Sequence, residues 1–329
     1  MTGAALLAAS SMIVGGAAIA QRERLPAECR QQIIDLCRGA EGGIRQCLMT
    51  ALPKLSDDCR KTIANRAAAK ESAVTGMREV AYGSDPLQKF DVAVPAGAKR
   101  APLLLFIHGG GWSIGDKRAG ESVKAPHFTS LGWAFASINY RLVPQATVEQ
   151  QAGDLASAIA YARAHAAELG LDPNRIVLMG HSAGAHLAAL VGTDPRYLEA
   201  AGMPIKAVRG IILLDGAGHD IGKQMARLGN PVAPMYDAAF GKDPARQAAL
   251  SPTLHAAAPT VADWLILPIE KRPDSMEQSQ GLAAALGKAG AHAKVVPVFD
   301  KTHGSLNKEL GESGDFATGE VDRFLATTR

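Results

Sequence analysis

Apolar and polar positions follow two different rhythms along the chain. Between residues 25 and 69 the spacing is helical. In "PAECRQQIIDLCRG", Cys29, Ile33, Leu36 and Cys37 share one helical face before "GAEGG" breaks the pattern. "IRQCLMTAL" resumes it, Pro53 interrupts, and "SDDCRKTIANRAAAK" follows with Ser56 placed to cap a helix. From residue 76 the rhythm changes. "KFDVAVP" alternates as a half-buried strand does, and "APLLLFIHGGGW" is a continuous apolar run ending in glycines. "WAFASINYRL", "RIVLMG", "VRGIILLDG", "ADWLILPIE" and "AKVVPVFD" read as further strands, with helical stretches over residues 148–169 and 275–289. Apolar strands alternating with helices predict a mostly parallel sheet covered on both faces. Ligands of such sheets sit beyond the carboxyl ends of the strands, so the chemistry belongs in the loops that follow the apolar runs.

Residues 1–20 carry no charged side chain and end in Ala18-Ile19-Ala20, a small-x-small cleavage pattern before Gln21. This reads as a secretory signal peptide, although no Lys or Arg precedes its apolar core. An uncleaved membrane anchor is the alternative, the run being near the short limit for a span. No later segment is long and apolar enough to cross a membrane. The expected location is periplasmic or secreted. The cysteines agree with export: Cys29, Cys37, Cys47 and Cys59 all lie in one stretch, and none occurs elsewhere. Their spacing lacks the close pairs of a zinc site, so no metal is expected. Short helices folded back on each other favour the nested pairing Cys29–Cys59 and Cys37–Cys47, one of the three that four cysteines allow. Residues 21–72 bury too little apolar area to stand alone, and each bridge adds ~2–4 kcal/mol. The stretch resembles the cysteine-rich repeat of the Golgi cysteine-rich glycoprotein family through C…C…GG.I..CL……LS..C. That resemblance implies a structural or interaction module, open to protein or surface contact, and no chemistry. Residues 76–329 form the second domain.

Charge is nearly balanced, with 35 Lys and Arg against 32 Asp and Glu, and there is no basic run. A nucleic-acid partner is therefore not expected. The candidate chemistry lies in two loops. In "MGHSAGAH", Ser182 stands between Gly180 and Gly184 where a strand meets a helix. Small neighbours two residues away let strand and helix close in and lift the hydroxyl above the sheet edge, as a nucleophile needs. A helix-capping serine is the plainer reading. In "FIHGGGW", three glycines follow a buried strand, which makes sense where bare backbone N–H groups must approach a ligand. Gly110, Gly111 and Ala183 are the expected donors to an oxyanion, each worth about 2.7–4 kcal/mol. A phosphate-binding loop would want a Lys and Ser/Thr that are absent here.

"HGGGW" ahead of "GHSAG", together with "INYRL", "DLASAIAYAR" and "DPNRIVLMGHSAG", resembles the α/β-hydrolase family. The likeness is to its hormone-sensitive-lipase-like carboxylesterase branch, and the feruloyl-esterase-like and kynurenine-formamidase-like hydrolases share it. It covers residues 80–325 and implies serine acyl hydrolysis without a cofactor, in the chain order nucleophile, acid, histidine. His303, in the loop after the last strand, then becomes the base. His186 lies within the nucleophile helix, His292 precedes the last strand, and His219 and His255 are pocket or surface candidates. The family pattern puts the acid just after "WLILPIE", which favours Asp274, with Glu270 and Asp300 as alternatives; Asp274 also suits a helix N-cap. Trp112 is a candidate wall of the acyl pocket or plain core. Asp215, Gly216 and His219 end a strand on the active face and are placed to line the site. Residues 221–255 are expected to form a small cap over it, and the N-terminal cap helices of the lipase-like branch are not recognisable. The resulting expectation is a carboxylesterase acting on a small-molecule ester of a small or medium acyl or aryl group. An amidase or formamidase of the same fold and a non-catalytic binding protein are the alternatives.

Overall fold

The computed structural model describes residues 26–37, 54–60, 77–227, 233–257 and 259–328. The expected signal peptide at residues 1–20 lies outside them, as does Cys47. The chain divides into two compact units, residues 1–72 and 73–329. In the first, helix α1 (Ala27–Cys37) buries Cys29, Ile33 and Cys37 along one side, and Cys29 is bridged to Cys59 as the nested pairing expects. The other bridge of that pairing involves Cys47 and so falls outside the described residues. Among the described residues no helix is long and apolar enough to cross a membrane.

The second unit is built on a sheet of eight described strands in the order β1-β2-β4-β3-β5-β6-β7-β8. These are β1 (Arg78–Ala81), β2 (Lys89–Ala93), β3 (Ala101–Ile107), β4 (Ala134–Ile138), β5 (Leu171–His181), β6 (Val208–Leu214), β7 (Asp263–Leu267) and β8 (His292–Val295). The pairs β1–β2 and β2–β4 are antiparallel and the remaining neighbours parallel. The central strands are buried on both faces because both are covered, which is why they read as unbroken apolar runs rather than alternating ones. Alternate side chains still serve separate cores. Leu103, Leu105 and Ile107 of β3 enter one face, and Leu104 and Phe106 the other.

The helices fall in chain order: α2 (Glu121–Ser130), α3 (Val148–Ala164), α4 (Ala166–Leu169), α5 (Ala183–Thr193), α6 (Pro195–Ala200), then α7 (Ile221–Ala226), α8 (Ala233–Phe240), α9 (Pro244–Ala249), α10 (Pro252–His255), α11 (Pro273–Lys288), α12 (His303–Glu309) and α13 (Phe316–Thr327). Thr147 caps α3 in a capping box with Gln150, and α3 buries Val148, Leu155 and Ile159 on the first face with α5 and α11. Phe128 of α2, Leu306 of α12 and Val321 of α13 cover the second. The expected helix over 148–169 is thus two, separated at His165. The one expected at 275–289 starts two residues earlier, at Pro273, whose ring is preset for the first helical position. Residues 221–255 contribute four short helices, α7 to α10, between β6 and β7.

Candidate active site

Strand β5 delivers Ser182 to its carboxyl end, where the chain turns at once into α5. Ser182 has φ 56° and ψ −120°, a conformation strained for a residue with a Cβ. Its N–H donates to the carbonyl of Leu214 at 3.0 Å, which ties the corner to the end of β6. The turn closes because its neighbours lack side chains. A methyl on Gly184 would come within 2.2 Å of the Ile107 carbonyl oxygen and 2.5 Å of that of His108. These are backbone atoms and cannot swing aside. Gly184→Ala is therefore expected to cost about 3 kcal/mol or more, read as a fall in the thermal midpoint of the purified variant.

The glycine loop after β3 packs onto this corner. A Cβ on Gly109 would lie 2.8 Å from that of Ser182, so only glycine lets the two segments touch. Gly110 and Gly111 have φ of 129° and 58°. The Gly110 carbonyl accepts from the N–H groups of Ser113 and Ile114 at 3.2 and 3.0 Å. The C=O and N–H of a trans peptide point in opposite directions, so this turn leaves the Gly111 N–H facing away from it. Ala183 is the first residue of α5, where backbone N–H groups have no partner within the helix.

His303 opens α12, behind the capping box of Thr302 and Ser305. Its Nδ1 lies 2.6 Å from Oδ2 of Asp215, the residue that directly follows β6. A carboxylate only accepts, so Nδ1 carries the proton and Nε2 is left with its lone pair. Asp215 is fully buried and sits at φ 46°. Burial alone would raise its pKa; the His303 hydrogen bond, the Arg272 charge and the Ile269 N–H outweigh that and hold the carboxyl well below the usual range. Arg272 Nη1 is 2.6 Å from the same Oδ2 and 2.8 Å from His303 Nδ1.

The expectation of Asp274 beside His303 is corrected here. Asp274 bonds Arg272 Nη2 at 3.0 Å, inside the first turn of α11, and the carboxylate against the imidazole is Asp215. Because α11 begins at Pro273, its N-cap position falls on Arg272 and not on Asp274 as the sequence suggested, and the Asp274 carboxylate is held by that arginine. The alternatives Glu270 and Asp300 do not occupy that place either. A signal for Asp215 was present in the sequence: it follows the apolar run Ile211–Leu214 and is followed by glycine, a costly position for an unpaired carboxylate.

His181, the residue before Ser182, faces the histidine loop. Its Nε2–H donates to the His303 carbonyl at 2.9 Å, and the two rings stand 4.5 Å apart. Desolvation, reinforced by the neighbouring His303, pushes its pKa down to about 3 and keeps it neutral. Trp112 is buried, with its ring edge-on to His186, Tyr236 and Phe240 at 5.4, 5.2 and 4.7 Å. His186 accepts from Trp112 Nε1 and donates to the Leu250 carbonyl. The expected substrate contact of His219 is not met. Its side chain is fully enclosed, and neither ring nitrogen has a hydrogen-bond partner among the described residues. The ring packs beside Gly216, where a methyl would stand 3.0 Å from its Cε1 and Nε2. Among the described residues no group of three or more His, Cys, Asp or Glu is gathered as a metal ion would require.

The serine corner thus carries the glycine loop on one side and, through His181, the His303 loop on the other, at the carboxyl ends of β3, β5 and β6, where known proteins offer a comparison. The BD-FAE family model matches residues 90–204. Esterase LipC of Mycobacterium tuberculosis is 37% identical over 143 residues, 41% of this chain and 36% of that protein. A probable isoprenylcysteine alpha-carbonyl methylesterase of Oryza sativa subsp. japonica is 35% identical over 39% of this chain and 31% of its own length. The chain therefore spans about a third of the curated relatives it matches. Among solved structures, a thermophilic esterase from Thermogutta terrifontis superposes with a TM-score of 0.61 at 27% identity, covering 77% of this chain and 93% of that one. Esterase B of Lactobacillus rhamnosis, at 18% identity and a TM-score of 0.64, shares the fold. The order of its strands, the strained serine corner and these likenesses give the second unit the α/β-hydrolase fold, in which it is similar to esterases.

Proposed function

We propose that the protein hydrolyses small-molecule carboxylic esters through Ser182, His303 and Asp215. Ser182 Oγ attacks the acyl carbonyl while His303 Nε2 takes its proton. Asp215 keeps the Nδ1–H tautomer and stabilises the imidazolium without taking the proton itself. The N–H groups of Gly110, Gly111 and Ala183 hold the oxyanion. The intermediate then collapses, His303 gives its proton to the departing alcohol oxygen, and an acyl-serine remains. Water, deprotonated by the same histidine, releases the acid. The observation that carries the reading is the buried carboxylate of Asp215 at 2.6 Å from His303 Nδ1, on the strand next to the one that ends at the serine corner.

The test is hydrolysis of p-nitrophenyl esters from acetate to decanoate by the parent protein and by Ser182→Ala. Turnover by the parent and a loss of about 10⁴-fold or more in the variant is the expected result. No Ser182-dependent turnover on any chain length overturns the esterase reading and turns the search to amides and formamides.

A further inference from the structure

A second question concerns which acyl groups this site admits, and its answer rests on the esterase reading above. The tetrahedral carbon carries four substituents: the Ser182 oxygen, the oxyanion, the leaving oxygen and the acyl carbon. The leaving oxygen must face His303, which protonates it. The oxyanion must face the glycine loop. The acyl chain takes the direction that remains, away from His303.

The two faces of the sheet identify that direction. His303 opens α12, whose Leu306 is buried in the core shared with Phe106 and Phe128. Trp112, Tyr236 and Phe240 belong to the core on the opposite face. An acyl chain pointing away from His303 therefore runs toward Trp112 and helix α8. That side is filled: Trp112, Tyr236 and Phe240 are at most 4% exposed and their rings are in edge contact. Above them α8 places Met235 directly on the oxyanion loop. A methyl on Gly111 would stand 2.2 Å from Met235 Sδ and 2.9 Å from its Cγ. Met235 is itself only partly buried, with one side against the core and the other open.

We propose that Met235 is a specificity-determining residue that closes the acyl side of the site and restricts the substrates to esters of short, acetyl-sized acyl groups. A short acyl group stops before the thioether, and a longer one must displace it. Methionine is unbranched and adaptable, so the limit is set by the space this side chain fills.

The experiment measures kcat/KM for p-nitrophenyl acetate and octanoate with the parent protein, Met235→Ala and Met235→Leu. The quantity read is the octanoate-to-acetate ratio within each protein, which is independent of the fraction of active molecules. The parent is expected to favour acetate strongly. Met235→Ala is expected to raise the ratio by about tenfold or more, the scale that pocket methylenes command. Met235→Leu, of similar volume, keeps the ratio near the parent value. Where Met235→Ala does not yield folded protein, Met235→Val carries the same expectation with a smaller rise. A parent without preference for acetate, or a ratio within about twofold of the parent in the truncated variant, overturns the proposal while esterase turnover persists. Absence of Ser182-dependent turnover in the parent itself overturns the esterase reading and this one with it.

Discussion

Asp215→Asn is expected to lower kcat/KM for the best p-nitrophenyl ester by about 10⁴-fold, and Asp274→Asn by less than about tenfold. The difference follows from what each carboxylate touches. Asp215 is buried and lies against His303 Nδ1. An asparagine there can turn its amide N–H toward Nδ1, which moves the imidazole proton to Nε2 and removes the base. Asp274 is about a third exposed and reaches only the far side of Arg272. Its loss leaves Arg272 still bonded to Asp215. The paired variants, assayed together and checked for folding by circular dichroism, separate the two carboxylates. A larger loss from Asp274→Asn than from Asp215→Asn would return the acid to the loop after β7.

Acidification is expected to destabilise the second unit well before its carboxylates titrate. Desolvation lowers the pKa of four buried histidines, to about 3 for His181, about 4 for His186 and about 3 for His219, with His108 shifted in the same direction. In the unfolded chain they return to the ordinary value near 6.5. Between those limits the unfolded chain binds more protons than the folded one, so stability falls as the pH drops below about 6.5. Each of His181, His186 and His219 then contributes about 1.4 kcal/mol of loss per pH unit, and at pH 5.5 these three together remove about 4 kcal/mol. Asp215 acts lower down. Its depressed pKa gives stability that is present above the usual carboxylate range and lost as the pH falls through its folded value. Urea unfolding at pH 7.5 and 5.5 reads the histidine effect as a lower midpoint at pH 5.5. His219→Leu, which removes an imidazole with no hydrogen-bond partner among the described residues, is expected to lessen that difference by about a quarter to a third. Equal midpoints at the two pH values would mean that these rings gain protons in the native state.

Much of this architecture was legible in the sequence because the features involved are local. The runs that became β3, β5, β6 and β7 are apolar on both sides, and the glycines at 109–111 and 180–184 stand out as clusters beside strand ends, although several of the contacts that require them, such as Gly184 against Ile107, are long-range. Cys29 and Cys59 also met as the folded-back helices implied. The carboxylate beside His303 was misplaced for a different reason. Asp215 and Asp274 both follow strands at the same edge of the sheet, and chain order alone favours neither physical arrangement. What separates them is a contact across 88 positions of sequence, together with an arginine that draws Asp274 away. Trp112 and His219 illustrate the same limit. Their position next to functional loops says nothing of which way a ring turns, and both turned inward.

The serine corner and Asp215 stand at the ends of adjacent strands, paired through His181 and Leu214, and the cap helices α7 to α10 are inserted after both. In terms of descent, this divides the chain into a part that fixes chemistry and a part free to vary. An insertion or deletion among residues 221–255 leaves Ser182 and Asp215, the proposed nucleophile and acid, one strand-spacing apart. Relatives built this way can change the segment between these two strands while keeping the serine corner and Asp215 in place.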